Sequence, residues 1–171
     1  MSAPKVRAAV AGYLQSAGIA NLTYLYAEAP FDLEDIPWQQ LSTPGSTTDA
    51  VGIVFVDSDD DEVIGLDGAG GRRVCTYQVT VEFMVWDVSA DPVVAQGAYD
   101  AMVAAVKFRL RTDPQLGTAT TPGFAGNDEI IQAAVAQLQG EYGRPVRLGD
   151  GDAWACWFGI HFTVQTFEYA T

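Results

Sequence analysis

Basic side chains are scarce in this sequence: nine lysines and arginines stand against 22 aspartates and glutamates, for a formal charge of −13. That balance repels phosphate backbones and anionic bilayers, which makes nucleic-acid readers and basic membrane binders poor candidates. Histidine occurs once, at His161, which removes two-histidine metal sites. The two cysteines, Cys75 and Cys156, are too few for a disulfide scaffold. Both stand in apolar strand-like runs and are expected to be buried thiols, neighbours if their strands pair. No stretch approaches the roughly 20 apolar residues that span a bilayer, so a soluble, cytosolic chain is expected. Lys5 and Arg7 ahead of Ala8–Leu14 imitate a secretory signal, but Gln15 and Ser16 interrupt the run and a helix is the better reading. Internal repeats, low-complexity segments and linkers are missing as well.

What is present suffices for a core. Of 171 residues, 49% are hydrophobic and only 18% charged, which argues for one folded domain over residues 1–171 rather than a disordered acidic chain. Val6, Val10, Tyr13, Leu14 and Ala17 recur at helical spacing, with Ser2 as cap, Pro4 in the first turn and Gly18 as terminator. Asn21–Tyr26 reads as a short strand. A long loop is predicted over 27–50, where Pro30, Pro37, Pro44 and Gly45 punctuate Ser and Thr; its Phe31, Ile36 and Trp38 either pin it to the core or bind a partner.

Gly52–Val56 and Val63–Leu66 read as short strands joined by an acidic hairpin tip, Asp57-Ser58-Asp59-Asp60-Asp61-Glu62, with a second turn at Gly68–Gly71. Over Val74–Val88, Cys75, Tyr77, Val79, Val81, Phe83 and Val85 alternate with Thr76, Gln78, Thr80 and Glu82, which predicts a strand buried on one face. Trp154, Cys156, Phe158, Ile160, Phe162 and Val164 predict a second such strand. Between them Asp91 caps a helix that opens on Pro92 and stops at Asp113-Pro114. Val94, Ala98, Ala101, Met102, Ala105 and Phe108 form one of its faces; Tyr99, Val103, Val106 and Leu110 broaden it, so more than one apolar neighbour is expected. Gly117–Gly126 and Gly140–Asp152 read as loops, and Glu129–Leu138 as a strand or a short helix. The fold class is α+β: a mostly antiparallel sheet packed against an N-terminal helix and a long central helix.

Catalytic constellations do not assemble from these residues. His161 falls on the face opposite the apolar one and reads as a solvent-facing structural histidine, since no nucleophile stands in an elbow motif. Asp57, Asp59 and Asp61 imitate a calcium loop, yet Glu62 replaces the glycine at the sixth position and Gly68 the glutamate at the twelfth. Gly68-Ala69-Gly70-Gly71-Arg72-Arg73 lacks the Lys-Ser/Thr ending of a phosphate loop and leads into a strand. A carboxylate pair, Asp150 and Asp152, would be the centre of any ligand-binding or enzymatic alternative. No cofactor is called for.

The order of these elements, with the Tyr99-Asp100-Ala101-Met102 helix running to Lys107-Phe108-Arg109-Leu110-Arg111 after a strand of the type Val79–Trp86, resembles the tail terminator family of long-tailed bacteriophages and its neck and minor tail relatives. The resemblance implies a non-enzymatic ring, typically of six subunits, in the neck region of a virion. Such a ring is put together in the host cytoplasm, caps the tail tube, ends its growth and meets the head connector. On that reading Phe31, Ile36, Trp38, Tyr99, Val103, Val106 and Leu110 are candidate contacts to a neighbouring subunit or the tube. Asp57, Asp59, Asp60, Asp61 and Glu62 are a candidate lumenal tip that repels passing DNA. A head–tail connector or minor tail protein of similar fold is the alternative within the same class, and the ligand-binding or enzymatic domain lies outside it.

Overall fold

The computed structural model describes residues 3–27, 48–67, 70–88, 91–117, 130–133, 137–148 and 153–169, with the backbone alone at 61–67, 70–73, 130–131, 148 and 168–169. Helix α1 (Ala3–Gln15) buries Val6, Val10, Ala11, Tyr13 and Leu14, as its spacing requires. The proposed Ser2 cap lies outside the described residues. Gly18, at φ +60°, turns the chain out of the helix, and Asn21, at φ 67°, leads it into strand β1 (Leu22–Tyr26). Strand β2 (Thr48–Asp67) pairs in parallel with β1 and antiparallel with β3 (Gly70–Asp87). Most of the predicted 27–50 loop, with Phe31, Ile36 and Trp38, lies outside the described residues, but Thr48–Ala50 already belong to β2.

The acidic run is not a hairpin tip. It lies within β2, where Asp57 to Glu62 run alongside β3, and the register closes only at Asp67↔Gly70. A strand tolerates this because its carboxylates stay solvated, with Asp57, Asp59 and Asp60 exposed and, among the described residues, no strand beside them on the side away from β3. β-Bulges between Val56 and Ser58 and between Val63 and Gly65 interrupt the ladder around them.

Helix α2 (Pro92–Thr112) follows its signals: the Asp91 side chain accepts from Val93 N at 2.8 Å, and Asp113 ends it by accepting from Gln115 N and Gly117 N. Strand β7 (Ala153–Tyr169) pairs with β3 along its whole length, from Arg72↔Tyr169 to Asp87↔Trp154. On the other side of β7 lie β4 (Ile130–Ala133), β5 (Gln139–Tyr142) and β6 (Val146–Leu148), all antiparallel to it. The ambiguous segment after Glu129 thus contains a strand at Ile130–Ala133. The predicted 140–152 loop is a correction: its first part is two short strands, because β7 offers an unpaired edge whose backbone groups must be satisfied. Asp150 and Asp152 lie outside the described residues.

Both helices pack on one face of this antiparallel sheet, with β1 its parallel exception. Cys75, Tyr77, Val79, Val81, Phe83 and Val85 of β3 meet Cys156, Phe158, Ile160, Phe162 and Val164 of β7 in that core. Phe83 and Phe158 are register partners whose rings stack at 4.7 Å, and Tyr99 of α2 meets Phe158 edge-on at 5.6 Å. Gly52 of β2 leaves room for that stack: a Cβ there would stand 2.8 Å from Phe83 Cδ1 and 2.5 Å from Leu25 Cδ1. Tyr13 joins the helices by donating to Arg109 O at 3.0 Å beneath the Arg109 guanidinium. A smaller cluster, Val51, Ile53 and Trp86, occupies the opposite face. Both cysteines are buried and free, as expected, but they are not neighbours: Cys75 faces Thr166 and Cys156 faces Val85.

Phe158→Ala is expected to cost about 3–5 kcal/mol in urea unfolding, because it empties the centre of the core. Phe108→Ala, at a residue 74% exposed, should stay within about 0.5 kcal/mol of the parent. Equal losses would mean that Phe108 is core.

Candidate assembly surface

The rotation of α2 decides which of its apolar residues are available. Ala95, Tyr99, Met102, Val106 and Leu110, spaced by three and four, are buried against the sheet and α1. Val106 and Leu110, named above as interface candidates, instead fill the chain's own core, whereas Tyr99, buried in the same core, also borders the groove beside α2. Val103 is half-buried beside that stripe. Of the predicted face of Val94, Ala98, Ala101, Met102, Ala105 and Phe108, Met102 is buried, whereas Val94 is 54% and Phe108 74% exposed, as is the neighbouring Val93 at 76%. Val93 and Val94 stand in the first turn of the helix and Phe108 near its last, all on a helix packed on its other side.

Next to this face a groove of about 620 Å³ opens between α2 and β5, lined by Val103, Lys107, Phe108, Arg111, Tyr142 and Gly143 among others. Lys107 spans it, donating to the Tyr142 hydroxyl with its ammonium 5.0 Å from the ring centroid. Tyr142 is half exposed. Asp100 also borders the groove, nearer the N-terminal end of α2, and accepts from Gln96 at 2.9 Å. The sequence missed Tyr142 because its strand was read as loop; the one available signal was Tyr142 between Glu141 and Gly143, two residues from Arg144.

The acidic run is divided between faces. Asp57 lies on the side away from the helices, where its Oδ2 accepts from Thr80 Oγ1 at 2.5 Å. The bulge then shifts the alternation, so Asp59 pairs with Tyr77 on the helix side and Asp60 with Thr76 on the other. Asp61 and Glu62 are strand residues whose side chains are outside the described set.

His161 does lie opposite the helices, yet it is not simply solvent-facing. Its Nδ1 is 2.8 Å from Thr80 Oγ1, and its Nε2 is 3.8 Å from Glu141 Oε2. Thr80 gives its single proton to Asp57, so the His161 contact is satisfied with Nδ1 donating. This row of Asp57, Thr80, His161 and Glu141 knits β2, β3, β7 and β5 across the sheet. No nucleophile or set of metal ligands completes it: among the described residues no group of three or more ligating side chains gathers. Two further carboxylates are buried, Asp49 and Asp87, which accept from Thr23 and Thr48.

Buried hydroxyls on the helix side behave as core groups. Burial pushes Tyr77 up to about 12, reinforced by Cys75, and pushes Tyr99 up as well, reinforced by Cys156. Burial likewise raises the Cys156 thiol, whose Sγ donates to Gly143 O. An unfolded tyrosine ionises near pH 10, before its folded counterpart, so these groups leave stability intact below about pH 10 and erode it above. Urea unfolding at rising pH is expected to show the loss between about pH 10 and about 12, and Tyr77→Phe to diminish it. An unchanged alkaline profile in that variant would remove Tyr77 as a cause.

No protein-family model matches the chain, and no curated protein matches it. Among solved structures it is similar to a chain described as "Virion of native gene transfer agent (GTA) particle", with 15% sequence identity, 94% of each chain covered and a TM-score of 0.34. A superposition that loose carries no argument about assembly or role.

Proposed function

We propose that this chain is a structural subunit of a phage-like virion, a non-enzymatic homo-oligomeric ring at the neck of a tail. Within that setting it acts as a tail terminator: six copies cap the tail tube, stop its elongation and present a face to the head–tail connector. The reading is supported by the element order that resembles terminators, a long central helix between two long one-sided strands. The observation that carries it is the outward apolar face of α2, Val93, Val94 and Phe108, beside an open groove on a helix whose other side is already packed. Phe31, Ile36 and Trp38 belong to the same proposal as further contacts to a subunit or the tube.

The acidic residues serve the proposal as a wall rather than a tip. DNA passes through such a ring without specific binding, and Asp57 and Asp60, on the side away from the helices, would keep a lumenal wall anionic; Asp61 and Glu62 belong to the same acidic run, whereas Asp59 lies on the helix side. No membrane and no cofactor enter the scheme.

Purified protein mixed with its tail tubes and viewed by negative-stain electron microscopy is expected to add density at one tube end and to block further polymerisation. Rings that leave tube ends bare would transfer the protein to a connector or other neck position, and no species beyond a dimer would overturn the ring. Val94→Asp with Phe108→Asp, and separately Trp38→Asp, should weaken assembly at least tenfold while the thermal midpoint stays near the parent, because a charge is buried only between subunits. Loss of fold together with assembly would return the residue concerned to the core.

A further inference from the structure

The chain carries two surfaces of opposite charge that cannot reach each other within one copy. One is the outer edge of β2. Strand β1 covers β2 only as far as Tyr26↔Ile53, and among the described residues no strand pairs beyond that point. This uncovered stretch bears exposed Asp57, Asp59 and Asp60. The other is the groove between α2 and β5, where Lys107 and Arg111 flank Phe108 and Tyr142 and outnumber the one lining carboxylate, Asp100, with exposed Arg144 following in sequence. In a chain with only nine basic residues, two of them, Lys107 and Arg111, line this groove. Strands β3 and β7 separate the two surfaces.

We infer that neighbouring copies join head to tail, the acidic outer edge of β2 in one copy docking on the cationic, aromatic α2–β5 groove of the next. The occupant of the groove is thus a second copy of this chain, an inference that rests on the oligomeric reading above. Charge selects the arrangement. Two acidic β2 edges repel each other, so a symmetric pairing of like edges is disfavoured, whereas edge against groove brings opposite charges together. Asp59 lies on the helix side of the sheet, the side on which Lys107 meets Tyr142, so continuation of the sheet from copy to copy sets these groups against one another. An edge of this kind is also protected when alone: its carboxylates and bulges discourage pairing with arbitrary strands. A contact between two different surfaces closes into a ring when its rotation allows.

The test is a charge exchange read by sedimentation velocity over a range of concentrations, with circular dichroism confirming the fold. Lys107→Glu with Arg111→Glu makes both surfaces acidic, and Asp59→Lys with Asp60→Lys makes both basic. Each double variant alone is expected to associate at least tenfold more weakly than the parent, and their equimolar mixture to regain association by alternating. The chain carrying all four substitutions should associate by itself, which guards against a variant that fails for lack of folding. Double variants that assemble like the parent, or a mixture of folded variants that stays dissociated, would overturn this contact and leave the ring standing on another. A parent that remains monomeric at every concentration, and also with tail tubes, would overturn the contact and the ring together.

Discussion

The stack of Phe83 on Phe158, capped edge-on by Tyr99, is the joint on which the other features depend. It lies at a register pair of the two longest one-sided strands and takes its third member from α2. Three elements therefore meet in one close-packed contact, with Gly52 supplying the space for it. Because Tyr99 is held there, α2 has one available rotation. Met102, Val106 and Leu110 follow Tyr99 inward, and Val94 and Phe108 are carried outward. The exposed surface is in this sense a consequence of the core.

A second constraint is the disposition of charge in a strongly acidic chain. Carboxylates are tolerated where they remain solvated or where a hydroxyl satisfies them: Asp57, Asp59 and Asp60 exposed along β2, Asp49 and Asp87 beneath threonines. Cations gather around the last turns of α2, where they also suit the negative end of the helix dipole. Arg109 spends its charge inside the chain, stacked on Tyr13, whereas Lys107 and Arg111 border the groove. Segregation of this kind would let a protein of net charge −13 associate with itself, as proposed above, without overcoming a uniform repulsion.

Strand alternation, helix caps and the α+β class could be read from local pattern, since burial on one face writes a period of two or 3.6 directly into the residues. Asp91, Pro92 and Asp113 marked α2 to the residue, and β3 and β7 declared their buried faces. Other features had no such period. The acidic run has the composition of a turn, and only its pairing with Gln78 to Val74 across the sheet makes it strand. Residues 139–148 contain two glycines and a proline, yet the unsatisfied edge of β7 draws them into β5 and β6. His161 was placed on the correct face, but its contacts with Thr80 and Glu141 come from strands far away in the chain.

By itself, then, the sequence determined what α1, β3 and β7 hide, because side-chain chemistry alternates along these segments regardless of what lies opposite. It also determined the sign of the chain's field and the absence of two-histidine chemistry. Which of the apolar faces of α2 remains outside was decided only in three dimensions. A helix with hydrophobic residues all round has no preferred side until a ring such as Tyr99 finds its partner. The meeting of Lys107 with Tyr142, and the separation of the acidic edge from the cationic groove by two strands, were decided there too. Those relations depend on register and sheet order, which are set by long-range pairing and leave no periodic trace in the chain.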